Sequence, residues 1–248
     1  MTIPIALQLW SVKEDAAIDL FGTLEKVAQM GYDGVEFAGY YNKNASEIKS
    51  VLNKLGLKIA GSHVSAEQII HQIDDVIAFE KELGNKYVVC PWAKFTSLEE
   101  WKEFAEYLQQ SGKKLAEAGI SLVYHNHAHE LDALENESIL EILFNSVPTD
   151  LLKAELDTYW LEFAGVDAIK FMSQYKGRTP LIHVKDMAPS KEESTEVGNG
   201  IMNIKGIVQQ AKLNSAEWLI VEQEAFTKPQ LESVEIGLNN LKMIPAEA

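Results

Sequence analysis

The sequence predicts a single-domain α/β protein, a (β/α)8 TIM barrel spanning residues 1–248, and three observations lead there. Eight short apolar runs recur along the chain, most of them near-continuous rather than alternating, as expected of parallel strands covered on both faces. Helix-length segments with a 3.6-residue apolar period lie between them. Four successive helices stop at a glycine, a repeated C-terminal signal.

In chain order, the first strand is read at residues 3–9. Its following turn, Gln8-Leu9-Trp10-Ser11-Val12, has no glycine-rich phosphate loop, which argues against a doubly wound dinucleotide fold. Leu20, Leu24, Val27 and Ala28 mark the helix that ends at Gly31, before a strand at 34–37. Ile48, Val51, Leu52 and Leu55 precede Gly56 and a strand at 58–63. Ile69, Ile73, Val76, Ile77 and Leu83 lead to Gly84 and a strand at 87–91. Trp101, Phe104, Leu108, Leu115 and Ala118 lead to Gly119 and a strand at 121–126. The last three strands are read at 153–157, 179–185 and 218–222. No Ser/Gly/Pro-rich linker divides the chain, and its length is ordinary for one such barrel.

Composition narrows the partners. With 22 basic and 37 acidic residues the net charge is −15 and there is no basic run, so nucleic acid is not an expected partner. The start, Met1-Thr2-Ile3-Pro4, has no charged leader, and no apolar stretch approaches the roughly 20 residues a membrane helix needs. A cytoplasmic protein without a membrane partner is therefore expected. Cys90 stands alone inside an apolar strand, where packing is its expected role.

Barrel enzymes place their chemistry at the C-terminal ends of the strands, so polar residues there carry functional weight. Glu130, Asp157, His183 and Glu222 fall at or just beyond four different strand ends, a set that suggests one divalent metal site. Three carboxylates and one imidazole suit Mn, Co or Zn, and Mg is compatible. Asp157 could instead cap a helix, and His183 could be a hydrogen-bonded core residue. Lys185 and Asp186 are candidates for substrate contact or ligand orientation, Lys185 equally for an ion pair. Glu222 and Glu224 alternate to the same side of their strand; Glu222 is read as the ligand and Glu224 as a base or substrate contact. The run Tyr124-His125-Asn126-His127-Ala128-His129-Glu130 holds three of the six histidines; period-two geometry puts His125 and His127 on one face and Asn126 on the other.

At these residues the chain resembles the sugar phosphate isomerase/epimerase group of xylose isomerase-like barrels, related to endonuclease IV. The likeness runs through 34–41, Ser62-His63, Tyr124-His125-Asn126-His127 with Glu130, 156–160, 164–167, 177–180 leading into His183-Val184-Lys185-Asp186, 197–200, and Val221-Glu222-Gln223-Glu224. It implies a metal held by Glu, Asp, His and Glu from strands five to eight, carried here onto Glu130, Asp157, His183 and Glu222. Many relatives place the first glutamate within strand five, where this chain has Tyr124. Glu130 is put forward as its replacement, with His125 or His127 as the alternative. Barrels of this kind often pair, so a homodimer is expected.

A metal chelated by adjacent oxygens of a hydroxy-ketone acidifies the neighbouring C–H and stabilises the enediolate that forms. Glu130, Glu222, Glu224, His127 and Lys185 are the catalytic candidates. Trp10, Glu36, His63, His125, Asn126 and Trp160 are expected to bind a small carbohydrate, the rings against its C–H faces. The expected activity is an isomerase or epimerase on a sugar or polyol-derived ketone. The alternatives are a dehydratase or β-eliminating lyase at the same site, a silent sugar-binding barrel, and an endonuclease IV-like phosphodiesterase. Gly198-Asn199-Gly200 before a helix could hold an anion.

Overall fold

A computed structural model describes residues 2–134 and 136–244. Its eight barrel strands are β1 (Ile5–Gln8), β2 (Gly34–Phe37), β3 (Lys58–His63), β4 (Tyr87–Cys90), β5 (Ser121–His125), β6 (Lys153–Asp157), β7 (Leu181–Val184) and β8 (Trp218–Val221). Each pairs in parallel with its sequence neighbours and β8 closes onto β1, matching Ile5 with Leu219 and Leu7 with Val221. The predicted (β/α)8 barrel is the observed fold.

Several strands are shorter than the apolar runs suggest, for local reasons. The Gln8 side chain accepts the Trp10 N–H at 2.9 Å and turns the chain into a 3-10 turn at Leu9–Val12, which carries Trp10 out to the rim. Pro180 lacks a ladder donor, so β7 starts at Leu181, while the Pro180 carbonyl accepts from Glu217 and Trp218.

The surrounding helices include α1 (Lys13–Ile18), α2 (Leu20–Met30), α3 (Ala45–Leu55), α4 (Ala66–His71), α5 (Ile73–Leu83), α6 (Leu98–Glu117), α7 (Ile139–Ser146), α8 (Thr158–Phe163), α9 (Ala168–Gln174), α10 (Ile204–Leu213) and α11 (Gln230–Lys242). The glycine stops after α2, α3, α5 and α6 are left-handed, with φ of 90° at Gly31, 73° at Gly56, 88° at Gly84 and 79° at Gly119. No helix among the described residues is long and apolar enough to cross a membrane.

Two cores result. One lies between barrel and helices and includes Leu7, Val35, Phe37, Ala154, Leu156, Ile182 and Val184. The other fills the lower barrel with Ala6, Ala60, Tyr87, Val89, Val123, Leu181, Trp218 and Ile220. Two positions further along the strands the inward side chains turn polar: Gln8 follows Ala6, His125 follows Val123, His183 follows Leu181 and Glu222 follows Ile220. A register shift of β2 on β3, between Val35 and Glu36, lets Gly61 oppose Glu36. A Cβ at Gly61 would lie 2.6 Å from Glu36 Oε1, so the glycine makes room for that carboxylate.

Candidate metal centre

The polar layer divides into two quartets that share His183. In the upper quartet, one donor atom from each of His125, Asp157, His183 and Glu222 lies within 4.8 Å of the others, all four residues being buried. His183 Nδ1 is 3.1 Å from Glu222 Oε2 and 3.9 Å from Asp157 Oδ2, and His125 Nε2 is 3.6 Å from Asp157 Oδ2. Asp157 Oδ1 caps α8, accepting from Tyr159 N at 2.8 Å and Trp160 N at 3.2 Å, which aims the other oxygen into the quartet. Asp157 Oδ2 and both His125 nitrogens are buried without a hydrogen-bond partner. Such orphaned acceptors are costly unless something binds them. Two imidazoles and two carboxylates converging with unpartnered atoms fit a divalent metal of the Zn, Mn or Co kind.

The lower quartet, Glu36, His63, Glu155 and His183, is tied together through Glu36 Oε2 and Glu155 Oε2, while Glu36 Oε1 and Glu155 Oε1 are buried without a hydrogen-bond partner. Glu36 Oε2 is 2.7 Å from His183 Nε2, 3.3 Å from His63 Nε2, and accepts from Gln8 Nε2 at 2.7 Å. His63 Nε2 is also 3.0 Å from Glu155 Oε2. Burial alone would lower the His63 imidazole, but Glu36 and Glu155 push it up to about 10. Against burial, His63 and His183 hold the Glu36 carboxyl well below the usual carboxylate range. Burial likewise disfavours a charged His183, and Glu155, Glu222 and Glu36 outweigh it. In the neutral tautomer with the proton on Nε2, 2.7 Å from Glu36 Oε2, the lone pair of Nδ1 faces the upper quartet, the orientation a metal-ligating histidine needs.

Three expectations from the sequence are corrected by this geometry. Glu130 stays outside both quartets: a 3-10 turn at His129–Leu131 folds it back, so that it accepts the Tyr124 hydroxyl at 2.8 Å and the His127 N–H at 2.8 Å. His125 occupies the place the sequence offered to Glu130. Asn126 is spent on the backbone of β6, accepting Asp157 N at 3.0 Å and donating to Asp157 O, so it does not line the cavity. Glu36 is not among the residues that line the cavity, and its carboxylate pairs with His63 and His183.

A cavity of about 690 Å³ opens above the upper quartet, lined by Trp10, Trp92, Trp160, His63, His125, His127, Glu222 and Glu224 among others. His127 packs edge-on to Trp92 at 4.8 Å, and burial followed by repulsion from His125 holds its imidazole down to about 2. Both causes favour its neutral form. Lys185 is fully buried, with Nζ 2.5 Å from Glu224 Oε1, 3.4 Å from Glu222 Oε2 and 3.9 Å from Asp157 Oδ2. Burial opposes its charge, and those three carboxylates restore and strengthen it. Burial lifts Glu224 above the usual carboxylate range, Lys185 pulling the other way. Asp186 is turned from the cavity into a backbone loop, accepting from Gly198 N and Gly200 N.

Glu155, Gln8 and Trp92 escaped the sequence reading. Glu155 was legible in principle, because it precedes Asp157 by two residues and so faces inward as well.

Residues 24–243 match the xylose isomerase-like TIM barrel family. The chain belongs to that family. Inosose dehydratase 2 of Bacillus cereus is 24% identical to this barrel over 228 residues, covering 82% of this chain and 75% of that protein. A crystal structure of a sugar phosphate isomerase/epimerase from Parabacteroides distasonis has a TM-score of 0.88 at 23% identity, covering 99% of this chain and 95% of that one. The IOLI protein, crystallised with a binding zinc atom, has a TM-score of 0.79 at 15% identity, covering 98% of this xylose isomerase-like barrel and 100% of its own chain.

Proposed function

We propose that this chain is a metal-dependent dehydratase, which removes the proton beside the carbonyl of a polyhydroxy ketone and expels the neighbouring hydroxyl as water. The carrying observation is the upper quartet, with Asp157 Oδ2 and His125 Nε2 unpartnered and with His125 and Glu222 lining a cavity that also receives Glu224. His125, Asp157, His183 and Glu222 would hold the metal, which when bound supplies Lewis-acid polarisation of the carbonyl oxygen.

The remaining steps belong to the protein. Glu224 lines the cavity and takes the C–H proton; burial raises its pKa, so it holds a proton more readily than an exposed carboxylate does. Glu224 then passes that proton to the departing β-hydroxyl, which leaves as water, while Lys185, with Nζ 2.5 Å from Glu224 Oε1, positions the carboxylate. Trp10, Trp92 and Trp160 offer faces for the C–H surface of the ketone. The likeness to an inosose dehydratase supports elimination as the outcome. Epimerisation or isomerisation is the second reading, because the Glu224–Lys185 pair could equally return the proton to carbon.

The test incubates the metal-loaded protein with keto-polyols in deuterated water. Loss of the mass of one water supports the dehydratase, deuterium uptake without that loss supports the second reading, and neither outcome would refute both. Glu224→Gln should lower kcat by roughly 100-fold or more while leaving metal content unchanged.

A further inference from the structure

We infer that the hydroxyls of Ser11 and Ser194, which stand outside the metal centre, are positioning groups for the loop that carries Glu222 and Glu224. For Ser194 this rests on the reading above that Glu224 moves the proton; for Ser11 it rests only on Glu222 as a metal ligand.

The backbone hydrogen bonds of this loop carry the argument. β8 ends at Val221, and Glu222 N makes the last bond toward the barrel, to Val184 O at 3.4 Å. The N–H groups that follow meet side-chain oxygens instead. Ser11, fully buried in the 3-10 turn after β1, accepts Gln223 N at 3.0 Å. Ser194 accepts both Glu224 N at 2.9 Å and Ala225 N at 3.0 Å, using both lone pairs that a hydroxyl offers. One hydroxyl thus fixes the peptide beside the ligand Glu222, and the other fixes Glu224.

Ser194 can direct the loop because its own segment is held. Asp186–Met187 pairs antiparallel with Ser194–Thr195. The fully buried Asp186 carboxylate accepts Met187 N at 2.8 Å and Met202 N at 3.1 Å on Oδ1, and Gly198 N at 2.8 Å and Gly200 N at 3.0 Å on Oδ2. The glycine loop that the sequence offered to an anion is therefore closed on a side chain of the same protein. Beside Ser194, Glu196 Oε1 accepts Lys228 Nζ at 3.1 Å and Ser233 Oγ at 3.0 Å, so the same segment also grips the far end of the loop. Glu224 and Ala225 reach solvent, so water can replace the Ser194 hydroxyl in an alanine variant. The loop then loosens while the barrel stays folded, and Glu224 loses the fixed place from which it meets both the cavity and Lys185 Nζ.

The test compares Ser11→Ala, Ser194→Ala and the rescue variant Ser194→Thr with the wild type. Amide hydrogen exchange of the metal-free proteins should quicken roughly tenfold at Gln223 in Ser11→Ala and at Glu224 and Ala225 in Ser194→Ala, and return to the wild-type rate in Ser194→Thr. Cobalt(II) affinity, by competition with a chelator, should fall roughly tenfold in Ser11→Ala, with a changed visible spectrum, and stay within about twofold in Ser194→Ala. With an inosose as substrate, kcat should fall at least about tenfold in Ser194→Ala at unchanged KM and recover in Ser194→Thr. If Ser11→Ala does not fold, Ser11→Cys, a weaker acceptor, is read in its place. Unchanged exchange at these amides, or exchange quickened equally along β8, overturns the clamp. Unaltered cobalt affinity in Ser11→Ala overturns the role of Ser11, and wild-type kcat in Ser194→Ala overturns that of Ser194. A wild type inert toward the inosose speaks against the proposed chemistry, while exchange and cobalt affinity still decide the positioning.

Discussion

Asp157 divides its carboxylate between two tasks, and the division can be measured. Oδ1 caps α8 while Oδ2 waits unpartnered in the upper quartet. Asp157→Asn keeps an oxygen for the cap and loses the anionic donor, so it should lose metal with little change in apo-protein stability. Asp157→Ala should lose metal and about 1 kcal/mol besides, read by thermal melting of the apo forms. Glu130 is the opposite case. Its carboxylate satisfies the buried Tyr124 hydroxyl and the His127 amide, so Glu130→Gln should cost about 1–3 kcal/mol and leave metal content intact. The sequence made Asp157, His183 and Glu222 visible because each interrupts or ends an apolar run. His125 was passed over for Glu130 because a loop carboxylate looks like a ligand until the turn at His129–Leu131 is seen to send it backwards.

At the scale of elements, strand register decides which polar residues reach the cavity. Inward positions alternate along every strand, so period two picks out Glu155, Asp157, His125, His183 and Glu36 alike. Their depth depends on how the strands stagger around the closed barrel, which no single strand records. Glu36 and Glu155 lie one level below the cavity and order the histidines there. The space for Glu36 comes from Gly61 on the neighbouring strand. Gly61→Ala should therefore displace the Glu36 carboxylate, cost roughly 1–3 kcal/mol, and release His183 Nε2. Metal affinity, measured by competition with a chelator, should fall roughly 10–100-fold in that variant. Unchanged affinity would show that Glu36 does not orient His183. The helices were plainer in the sequence, because a glycine in the left-handed region is a local requirement that residue type announces.

For the whole molecule, the barrel was legible because eight apolar runs and their glycine-closed helices repeat one unit, whereas the site is assembled from all eight strands and their ends. Its stability carries a pH signature away from the metal. Burial would raise Glu196, but a backbone N–H and the side chains of Lys228, Thr195 and Ser233 hold it down to about 2. A carboxyl depressed on folding stabilises the protein above its unfolded pKa and loses that contribution as pH falls through about 4.5 toward about 2. The loss should be on the order of 1–3 kcal/mol in denaturant titrations of the metal-free protein, and Glu196→Gln should flatten it. The central claim is that four strand ends gather one divalent metal. Elemental analysis of the purified wild type, His125→Ala and Glu130→Gln tests it most directly. The account predicts about one Zn, Mn or Co per chain in the wild type and in Glu130→Gln, and none in folded His125→Ala; metal kept by His125→Ala, or lost from folded Glu130→Gln, would contradict it.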